Sequence, residues 1–263
     1  MKKIFKTLAL LGLTLCLTAC GSTKTPTEES GNYLRVGVRT NLSNFSTYNE
    51  EADTYYGFED DVAKEVALSL GYDGVSYIGL SAEDRDSALK NGTVDCLIAA
   101  YSRTDERAET FDLSEPYYYD KGKVMVEKSS LFYDYSDLQG QVVAVRNNTD
   151  AAENVIKKLN DLGLIREATA NAASLFMTII EMDSYDDMID ALEEGKVDAV
   201  CADGCITLSH LDDCRRYFEE AYSTEEYVIA TQKGSELSEK VDACVKAMNE
   251  DGTLTGLLEK WGV

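Results

Sequence analysis

The stretch SAEDRDSALKNGTVD, residues 81–95, is matched 103 positions later by SYDDMIDALEEGKVD, residues 184–198. Both copies place a serine, an alanine–leucine pair, a glycine and a valine–aspartate pair in the same order. This order is typical of an N-cap, an amphipathic helix, a glycine that ends the helix and a buried strand. The repeat therefore predicts two similar α/β lobes with a cleft between them.

The repeat extends to the strand and helix that precede each copy. Two Val-rich runs, residues 34–39 and 141–146, are typical of buried strands, and both end in an arginine. A helix is predicted after each strand, over residues 58–70 and 149–162, the second capped by Thr149. The alternation predicts an α/β fold in which each lobe is a mostly parallel sheet flanked by helices.

Two short extended runs, residues 123–127 and 227–231, are predicted to cross between the lobes. The first lobe then contains residues 33–120 and 228–263, and the second lobe contains residues 121–227. Two crossing strands form a natural hinge, so we expect the lobes to close over a ligand.

Residues 40–57 are predicted to form a long polar and aromatic loop without secondary structure of its own. A loop of that length is usually functional. Two final helices, over residues 235–249 and 253–261, are expected to pack on the first lobe.

Residues 1–19 have the layout of an export signal, with three lysines before an apolar run that is too short to span a bilayer. The signal ends in Leu-Thr-Ala-Cys20, which resembles the bacterial lipobox, whose cysteine is acylated. The alternative is an ordinary cleaved signal that ends beside a cysteine. We expect Cys20 to anchor the protein through lipid to the extracellular or periplasmic side of the cell membrane, with residues 20–32 as a flexible tether.

The charge balance excludes one large class of partner. Without the three signal lysines, 22 basic residues face 48 acidic ones, a formal charge of −26. Nucleic acid binding needs clustered Lys and Arg, so nucleic acid is not expected as a partner. The acidic residues are spread over helix faces, which indicates a solvated surface, and we expect a monomer.

Five cysteines remain after the signal and Cys20. Their odd number means that they cannot all pair, and the sequence leaves open whether any disulfide forms. A metal site is not expected, because the spacing of the cysteines and the single histidine matches no zinc pattern. The five are Cys96, Cys201, Cys205, Cys214 and Cys244.

Candidate ligand groups follow from the rule that open parallel sheets bind ligands outside the carboxyl ends of their strands. In the first lobe this rule selects Arg39, residues 100–102 and, just beyond, Arg107. In the second lobe it selects residues 146–149 and Asp203. A guanidinium on one wall takes a carboxylate and a carboxylate on the other takes an ammonium, which indicates a zwitterionic ligand.

Each of these residues has a plainer interpretation. Arg107 could be an exposed helix residue paired with a neighbouring acid, Asp203 could begin a turn, and Thr149 could only cap its helix. Their joint placement at corresponding strand ends favours the binding site.

The motifs around these residues resemble a known family. SRTDER at 102–107, FDLSEPYY at 111–118, VDAVCAD at 197–203 and the ending at 251–262 look like the extracellular polar amino-acid-binding proteins of ABC importers. These are solute-binding proteins of family 3 with the type II periplasmic binding protein fold. The resemblance covers nearly all of the chain after Tyr33.

The resemblance implies roles for individual residues. Arg107 would clamp the α-carboxylate of an amino acid with the help of Ser102 and of a backbone amide at Thr149. Asp203 would hold the α-ammonium, and a backbone carbonyl near Ala100 would share that task.

The chain also departs from the family pattern. Aromatic residues that often stack on the ligand are missing at the expected positions, so Phe45, Tyr48 or Tyr101 could take their place. Asn148 stands where a glycine often precedes the threonine. Arg39 and Arg146 point to a polar or acidic ligand side chain, unless both are simply solvated strand ends.

We interpret the chain as a binding protein that delivers an amino acid to an ABC transporter permease, without a cofactor. One alternative is a ligand sensor that acts through a partner protein. A less favoured alternative is a dehydratase-type enzyme on the same fold. The chain has a single histidine, no Ser-His or Cys-His arrangement and no phosphate loop, which favours binding over catalysis. Which amino acid is bound stays open.

Overall fold

Strands and helices alternate along the chain in the order that the repeat predicts. The computed structural model describes residues 31–147 and 149–263. The predicted signal peptide, Cys20, most of the tether and Asn148 lie outside the described residues. The strands are β1 (Tyr33–Val38), β2 (Asn41–Leu42), β3 (Ser46–Asn49), β4 (Thr54–Tyr56), β5 (Gly74–Gly79), β6 (Cys96–Leu97), β7 (Phe111–Glu127), β8 (Val142–Arg146), β9 (Thr178–Met182), β10 (Ala199–Asp203), β11 (Arg215–Tyr217) and β12 (Ser223–Gln232).

The helices lie between these strands and at the C-terminus. They are α1 (Phe58–Ser69), α2 (Arg85–Lys90), α3 (Asp105–Thr110), α4 (Ala151–Asp161), α5 (Ala170–Ser174), α6 (Tyr185–Glu193), α7 (Gly204–Thr207), α8 (Glu236–Glu250) and α9 (Thr253–Trp261). Short 3-10 turns cover Tyr135–Leu138 and Leu208–His210.

The main sheet runs through both predicted lobes in the order β5-β1-β6-β12-β7-β10-β8-β9, with β11 paired to β7. The outer strands are parallel on both sides: β1 with β5 and β6, and β8 with β9 and β10. The two long strands in the middle, β7 and β12, pair antiparallel along most of their length. The fold is the predicted α/β fold, with a central sheet flanked by helices.

We use the names first lobe (residues 33–120 and 228–263) and second lobe (residues 121–227) for the predicted halves. The core has separate buried clusters around β1 with α1 and around β8 with α4. Cys205 and Ile206 of α7 pack into the first of these clusters, although they fall in the second-lobe range. Residues Asn32–Val263 form one compact unit, so the lobe boundaries stay a prediction.

The two copies of the repeat begin differently. Ser184 is the N-cap of α6, and its hydroxyl accepts a hydrogen bond from the backbone N–H of Asp187 at 3.0 Å. Ser81 accepts the same bond from Asp84 at 3.2 Å, but α2 begins only at Arg85, with Asp84 as its N-cap. The serine cap is therefore confirmed for the second copy and wrong for the first.

The prediction of an unstructured loop over residues 40–57 is wrong. The segment folds into a small antiparallel sheet in the order β2-β3-β4. Its turns use Asn44 (φ 60°) and Asp53 (φ 50°), two residue types that tolerate left-handed backbone. The two C-terminal helices follow the predicted positions closely. Strands β7 and β12 contain the predicted runs 123–127 and 227–231, but both strands are longer, and β7 begins twelve residues earlier.

All five described cysteines are free thiols. Cys214 is exposed and the other four are buried, where a thiol packs as a small apolar group. Among the described residues no helix is both long and apolar enough to cross a bilayer.

Candidate ligand-binding site

A cavity of about 370 Å³ lies beyond the carboxyl ends of β1, β6, β8 and β10. Its volume falls in the range of small-molecule sites, roughly 300–1,000 Å³. Both predicted lobes contribute to its lining. Of the residues that the sequence predicts as ligand contacts, the cavity brings together Arg39, Ala100, Ser102, Arg107, Arg146, Thr149 and Asp203.

Arg107 projects into the cavity from α3. Thr104 is the N-cap of this short helix and accepts the backbone N–H of Arg107 at 3.2 Å. The Arg107 guanidinium donates to the carbonyl of Ser102 at 2.7 Å and lies 4.0 Å from the centroid of the Tyr101 ring. The guanidinium is therefore held by backbone and aromatic contacts, without an ion pair to any described carboxylate, and is available to an anion.

Tyr101 supports Arg107 and does not line the cavity. Its side chain is fully buried, and its hydroxyl donates to Asp86 Oδ1 at 2.7 Å. The prediction that Tyr101 contacts the ligand is thus wrong in its detail, because the residue packs beneath the guanidinium instead.

Asp203 ends β10 and forms the acidic side of the cavity. Its Oδ2 accepts a hydrogen bond from the Tyr227 hydroxyl at 2.9 Å, and the same hydroxyl lies 3.1 Å from Asp120 Oδ2. Burial, and after it the charge of Asp120, raises the pKa of Asp203 to about 7, against the hydrogen bond from Tyr227. A carboxyl with a raised pKa in a cavity is a candidate functional group, here an acceptor for a cation.

Ala100 has an unusual backbone conformation at the cavity wall, with φ of 47°. Its N–H donates to Glu59 Oε1 at 2.5 Å, and its carbonyl accepts from the Arg85 guanidinium at 2.7 Å. The carbonyl that the resemblance assigns to the ligand ammonium is therefore already engaged by a cation. A left-handed non-glycine residue costs roughly 1–2 kcal/mol, and its presence here marks a constrained site.

Thr149 lies in the cavity but does not cap the following helix. Helix α4 begins at Ala151, with Asp150 as its N-cap. The Thr149 hydroxyl donates instead to the carbonyl of Arg146 at 2.8 Å, which fixes the turn that leaves β8. The predicted cap is wrong, whereas Thr149 does line the cavity, and its contact with a ligand stays a prediction.

Phe45 and Tyr48 do not reach the cavity. Phe45 is fully buried among aromatic rings, 5.3 Å from Phe58 and 4.9 Å from Tyr118 between centroids. Tyr48 donates to Asp53 at 2.7 Å and packs on Tyr55 within the small sheet. Both predicted aromatic contacts are wrong, because the 40–57 segment forms its own sheet, which buries Phe45 in the core and pairs Tyr48 with Tyr55 away from the cavity.

The sequence reasoning did not select Arg85, which lines the cavity from the start of α2. Arg85 is 8% exposed, and the corresponding position in the second copy of the repeat is Met188, which is fully buried. A charged residue at a position that the other copy fills with a core methionine is a signal that could have identified it. Tyr185 and Glu225 also line the cavity and were not selected.

Arg146 and Glu83 form a salt bridge between the two lobes at the edge of the cavity. Arg146 ends β8, and Glu83 precedes α2. The hydrogen bond from Arg146 lowers the pKa of Glu83 to about 2. The Arg146 guanidinium also lies 5.2 Å from the ring centroid of Tyr185. These contacts link the lobes at the rim of the site.

The fold and the position of the cavity agree with the family that the sequence matches. The chain belongs to the bacterial extracellular solute-binding proteins, family 3, which it matches over residues 34–165 and 161–263.

Relatives of known name are binding proteins for amino acids. The ABC transporter glutamine-binding protein GlnH of Bacillus subtilis (strain 168) is 28% identical over 283 residues, covering 99% of this chain and 97% of the relative. The arginine-binding extracellular protein ArtP of the same organism is 28% identical over 268 residues, covering 99% of this chain and 98% of the relative.

A solved structure of an ancestral arginine-binding protein bound to arginine has the same fold. It is 28% identical, with a TM-score of 0.69, and the superposition covers 88% of this chain and 98% of that chain. These proteins share the scaffold but are named for different ligands, glutamine and arginine, so the shared fold does not define the ligand of this chain.

Proposed function

We propose that this protein captures an amino acid in the cavity between its lobes and delivers it to the permease of an ABC transporter. One observation carries the proposal: Arg107 of the first lobe and Asp203 of the second lobe line the same cavity. A free amino acid presents a carboxylate and an ammonium a few bonds apart, which matches a site with one cationic and one acidic wall. The glutamine- and arginine-binding relatives support the same ligand class.

Each group in the site has a role in this proposal. Arg107 takes the α-carboxylate bidentately, together with the Ser102 hydroxyl and the backbone N–H of Thr149. Asp203 takes the α-ammonium, and the Tyr227 hydroxyl fixes the orientation of its carboxylate. Micromolar affinity corresponds to roughly 8 kcal/mol, which charge-assisted hydrogen bonds in a desolvated cavity can supply.

Ligand capture would couple to lobe closure. A ligand that touches Arg107 and Asp203 gains its full contact energy only when the lobes are closed, so it shifts the population toward that state. The proposed hinge consists of the paired middle strands β7 and β12, in which the chain passes between the first lobe and the second lobe.

The family description places such proteins outside the cell. We infer that Cys20 carries lipid and holds the protein at the membrane, and that the protein works as a monomer. The relatives are binding proteins, which supports binding without catalysis.

A thermal-shift screen of the purified protein against the common amino acids tests the proposal, because a ligand of the folded state raises the unfolding midpoint. We expect at least one amino acid to stabilise the protein and Arg107→Ala to abolish the shift. Arg103→Ala is the matched control, since Arg103 pairs with Glu226 outside the cavity. The proposal fails if no amino acid raises the midpoint, or if Arg107→Ala leaves the affinity unchanged by calorimetry.

A further inference from the structure

We propose that the ligand is a dicarboxylic amino acid, whose side-chain carboxylate is bound by Arg39 and Arg85. The inference rests on the proposed function and names the ligand class of the same cavity. It follows from three guanidinium groups on the first-lobe wall that form no ion pair with a described carboxylate.

Three guanidinium groups line the first-lobe part of the cavity, and none of them forms a salt bridge with a described carboxylate. Arg107 donates to the Ser102 carbonyl at 2.7 Å, and Arg39 donates to the Asn41 side chain at 3.1 Å. Arg85 donates only to backbone carbonyls, including those of Ala99 and Ala100, both at 2.7 Å. No described carboxylate is therefore hydrogen-bonded to any of the three guanidinium groups.

Arg39 and Arg85 are also strongly buried, 9% and 8% exposed. Burial, followed by repulsion from Arg107 and Arg39, lowers the pKa of Arg85 to about 10, so the group stays charged at neutral pH. Holding like charges together in a desolvated site is costly unless an anion compensates them. Two buried guanidinium groups without an ion-pair partner therefore favour a second anionic group on the ligand.

The buried Glu59 and two of the three carboxylates that line the first-lobe wall have other partners, and the third, Glu106, is exposed. Glu59 is buried, and its Oε1 accepts from the N–H of Ala100 and from the Tyr117 hydroxyl, with no bond to either arginine. Burial raises the pKa of Glu59 to about 7, against its hydrogen bonds and the attraction of Arg39 and Arg85, which reduces its negative charge at neutral pH. Asp86 accepts from Tyr101, and Glu83 pairs with Arg146.

The opposite side of the cavity carries acidic side chains, which suit the ammonium of the ligand. Asp203 lies there with Glu225, whose Oε1 accepts from Asn154 at 3.1 Å. An ammonium at Asp203 and an α-carboxylate at Arg107 direct the rest of the ligand to the remaining wall. A side-chain carboxylate satisfies Arg39 and Arg85 through charge-assisted, bidentate hydrogen bonds. An amide side chain on the ligand would leave the charges of Arg39 and Arg85 uncompensated. A cationic ligand side chain would be repelled by the two guanidinium groups.

Isothermal titration calorimetry of the purified protein tests this ligand class with L-glutamate, L-aspartate, L-glutamine, L-asparagine and L-arginine. Each acid and its amide have almost the same shape, so their affinity ratio reports the charge of the side-chain subsite. We expect the better dicarboxylic amino acid to bind on the order of 100-fold more tightly than its amide.

Variants assign the preference to the two arginines. Arg39→Gln and Arg85→Gln should each weaken binding of the dicarboxylic amino acid at least tenfold and narrow the acid-to-amide ratio. Arg39→Lys keeps the charge but loses the bidentate geometry, so it should bind more weakly and keep its preference for the acid. Arg103→Gln is the control and should leave both values unchanged, because Arg103 lies outside the cavity lining.

The outcomes separate this inference from the proposed function. Tightest binding of glutamine, asparagine or arginine overturns the dicarboxylic ligand and leaves an amino-acid-binding protein. An unchanged acid-to-amide ratio in folded Arg39→Gln and Arg85→Gln also overturns it. Absence of binding for every amino acid overturns both proposals together.

Discussion

The Glu59 carboxylate accepts a hydrogen bond from the backbone N–H of Ala100 at 2.5 Å, across 41 residues of sequence. This bond joins the first turn of α1 to the cavity wall and helps to hold Ala100 at a φ of 47°. The other oxygen of Glu59, Oε2, is buried without a hydrogen-bond partner in the described part of the chain. The Glu59 carboxyl thus fixes the backbone at the site, although the burial of its other oxygen without a partner is unfavourable.

The raised pKa of Glu59 predicts that the ligand-free protein loses stability as the pH rises. Its pKa is about 7 in the folded state against 4.5 in the reference state, so the folded protein binds more protons between these values. The stabilising effect is complete below pH 4.5 and is lost as the pH passes 7, by at most about 1.4 kcal/mol per pH unit. Asp60, with a pKa raised to about 8, acts in the same direction.

Urea unfolding at several pH values between 5.5 and 8 measures this effect. The free energy of unfolding should fall with pH in the unmodified protein and fall less steeply in Glu59→Gln, which keeps an acceptor for Ala100. Identical slopes in the two proteins would show that Glu59 does not titrate in this range.

The raised pKa of Asp203 predicts that ligand affinity increases as the pH rises, whereas the stability of the ligand-free protein decreases. Its pKa of about 7 in the free protein means that a falling pH neutralises the acceptor of the ammonium. Affinity should therefore decrease below pH 7, approaching tenfold per pH unit, with proton release on binding. Calorimetry in two buffers of different ionisation enthalpy measures that release. Asp203→Asn should bind on the order of 100-fold more weakly and lose the pH dependence; a pH-independent affinity in the unmodified protein would exclude this role.

The salt bridge between Arg146 and Glu83 should slow ligand release. The Glu83 side chain is 61% exposed, so the pair contributes no more than about 1 kcal/mol. Glu83→Gln should raise the dissociation rate about two- to fivefold in stopped-flow measurements, with a smaller effect at high salt. Glu194→Gln, which removes an exposed partner of Lys196 away from the cavity, is the control. Equal dissociation rates in the two variants would contradict a contribution of the bridge to closure.

Two glycines should respond in opposite directions to alanine. A Cβ on Gly122 would lie 2.3 Å from Ser223 Oγ and 2.4 Å from the Tyr222 ring, so Gly122→Ala should destabilise the protein by about 1–3 kcal/mol. Gly256 lies within α9 with open space around it, so Gly256→Ala should stabilise the helix by up to about 1 kcal/mol. Chemical denaturation of both variants checks the difference, and stabilisation by Gly122→Ala would contradict the tight packing at the hinge.

The proposed attachment of the protein to the membrane depends on Cys20. If the thiol of Cys20 is acylated, Cys20→Ser should release the protein from the membrane fraction of its host into the soluble fraction. Fractionation followed by immunoblotting measures the change. Continued membrane association of the variant would count against the lipid anchor.

The architecture could be predicted from the sequence because it depends on regular patterns. The repeat, the Val-rich strands and the helix-ending glycines each report a local preference, and the family motifs place Arg107 and Asp203 in the same cavity. The rim contact of Arg146 with Glu83 and the burial of Glu59 depend on how the lobes pack, which no local pattern reports.

The errors have a common physical origin. Aromatic residues in a long loop suit ligand stacking, which favours Phe45 and Tyr48, but the segment forms β2, β3 and β4, buries Phe45 and packs Tyr48 on Tyr55. Arg85 was missed because a helix of that pattern usually buries apolar residues. In both cases tertiary burial, and not sequence periodicity, decided which side chain faces the cavity.

The middle strands bring the two ends of residues 122–223 side by side, since Gly122 pairs with Ser223 across β7 and β12. This segment carries Asp203 and Thr149, whereas Arg39, Arg85 and Arg107 all lie outside it. Exchange of this internal segment between two members of the family, through two adjacent junctions, would therefore replace the proposed ammonium-binding wall and leave the arginine wall intact. In evolutionary terms, the ligand preference of such a protein can be reassembled from two separately inherited modules.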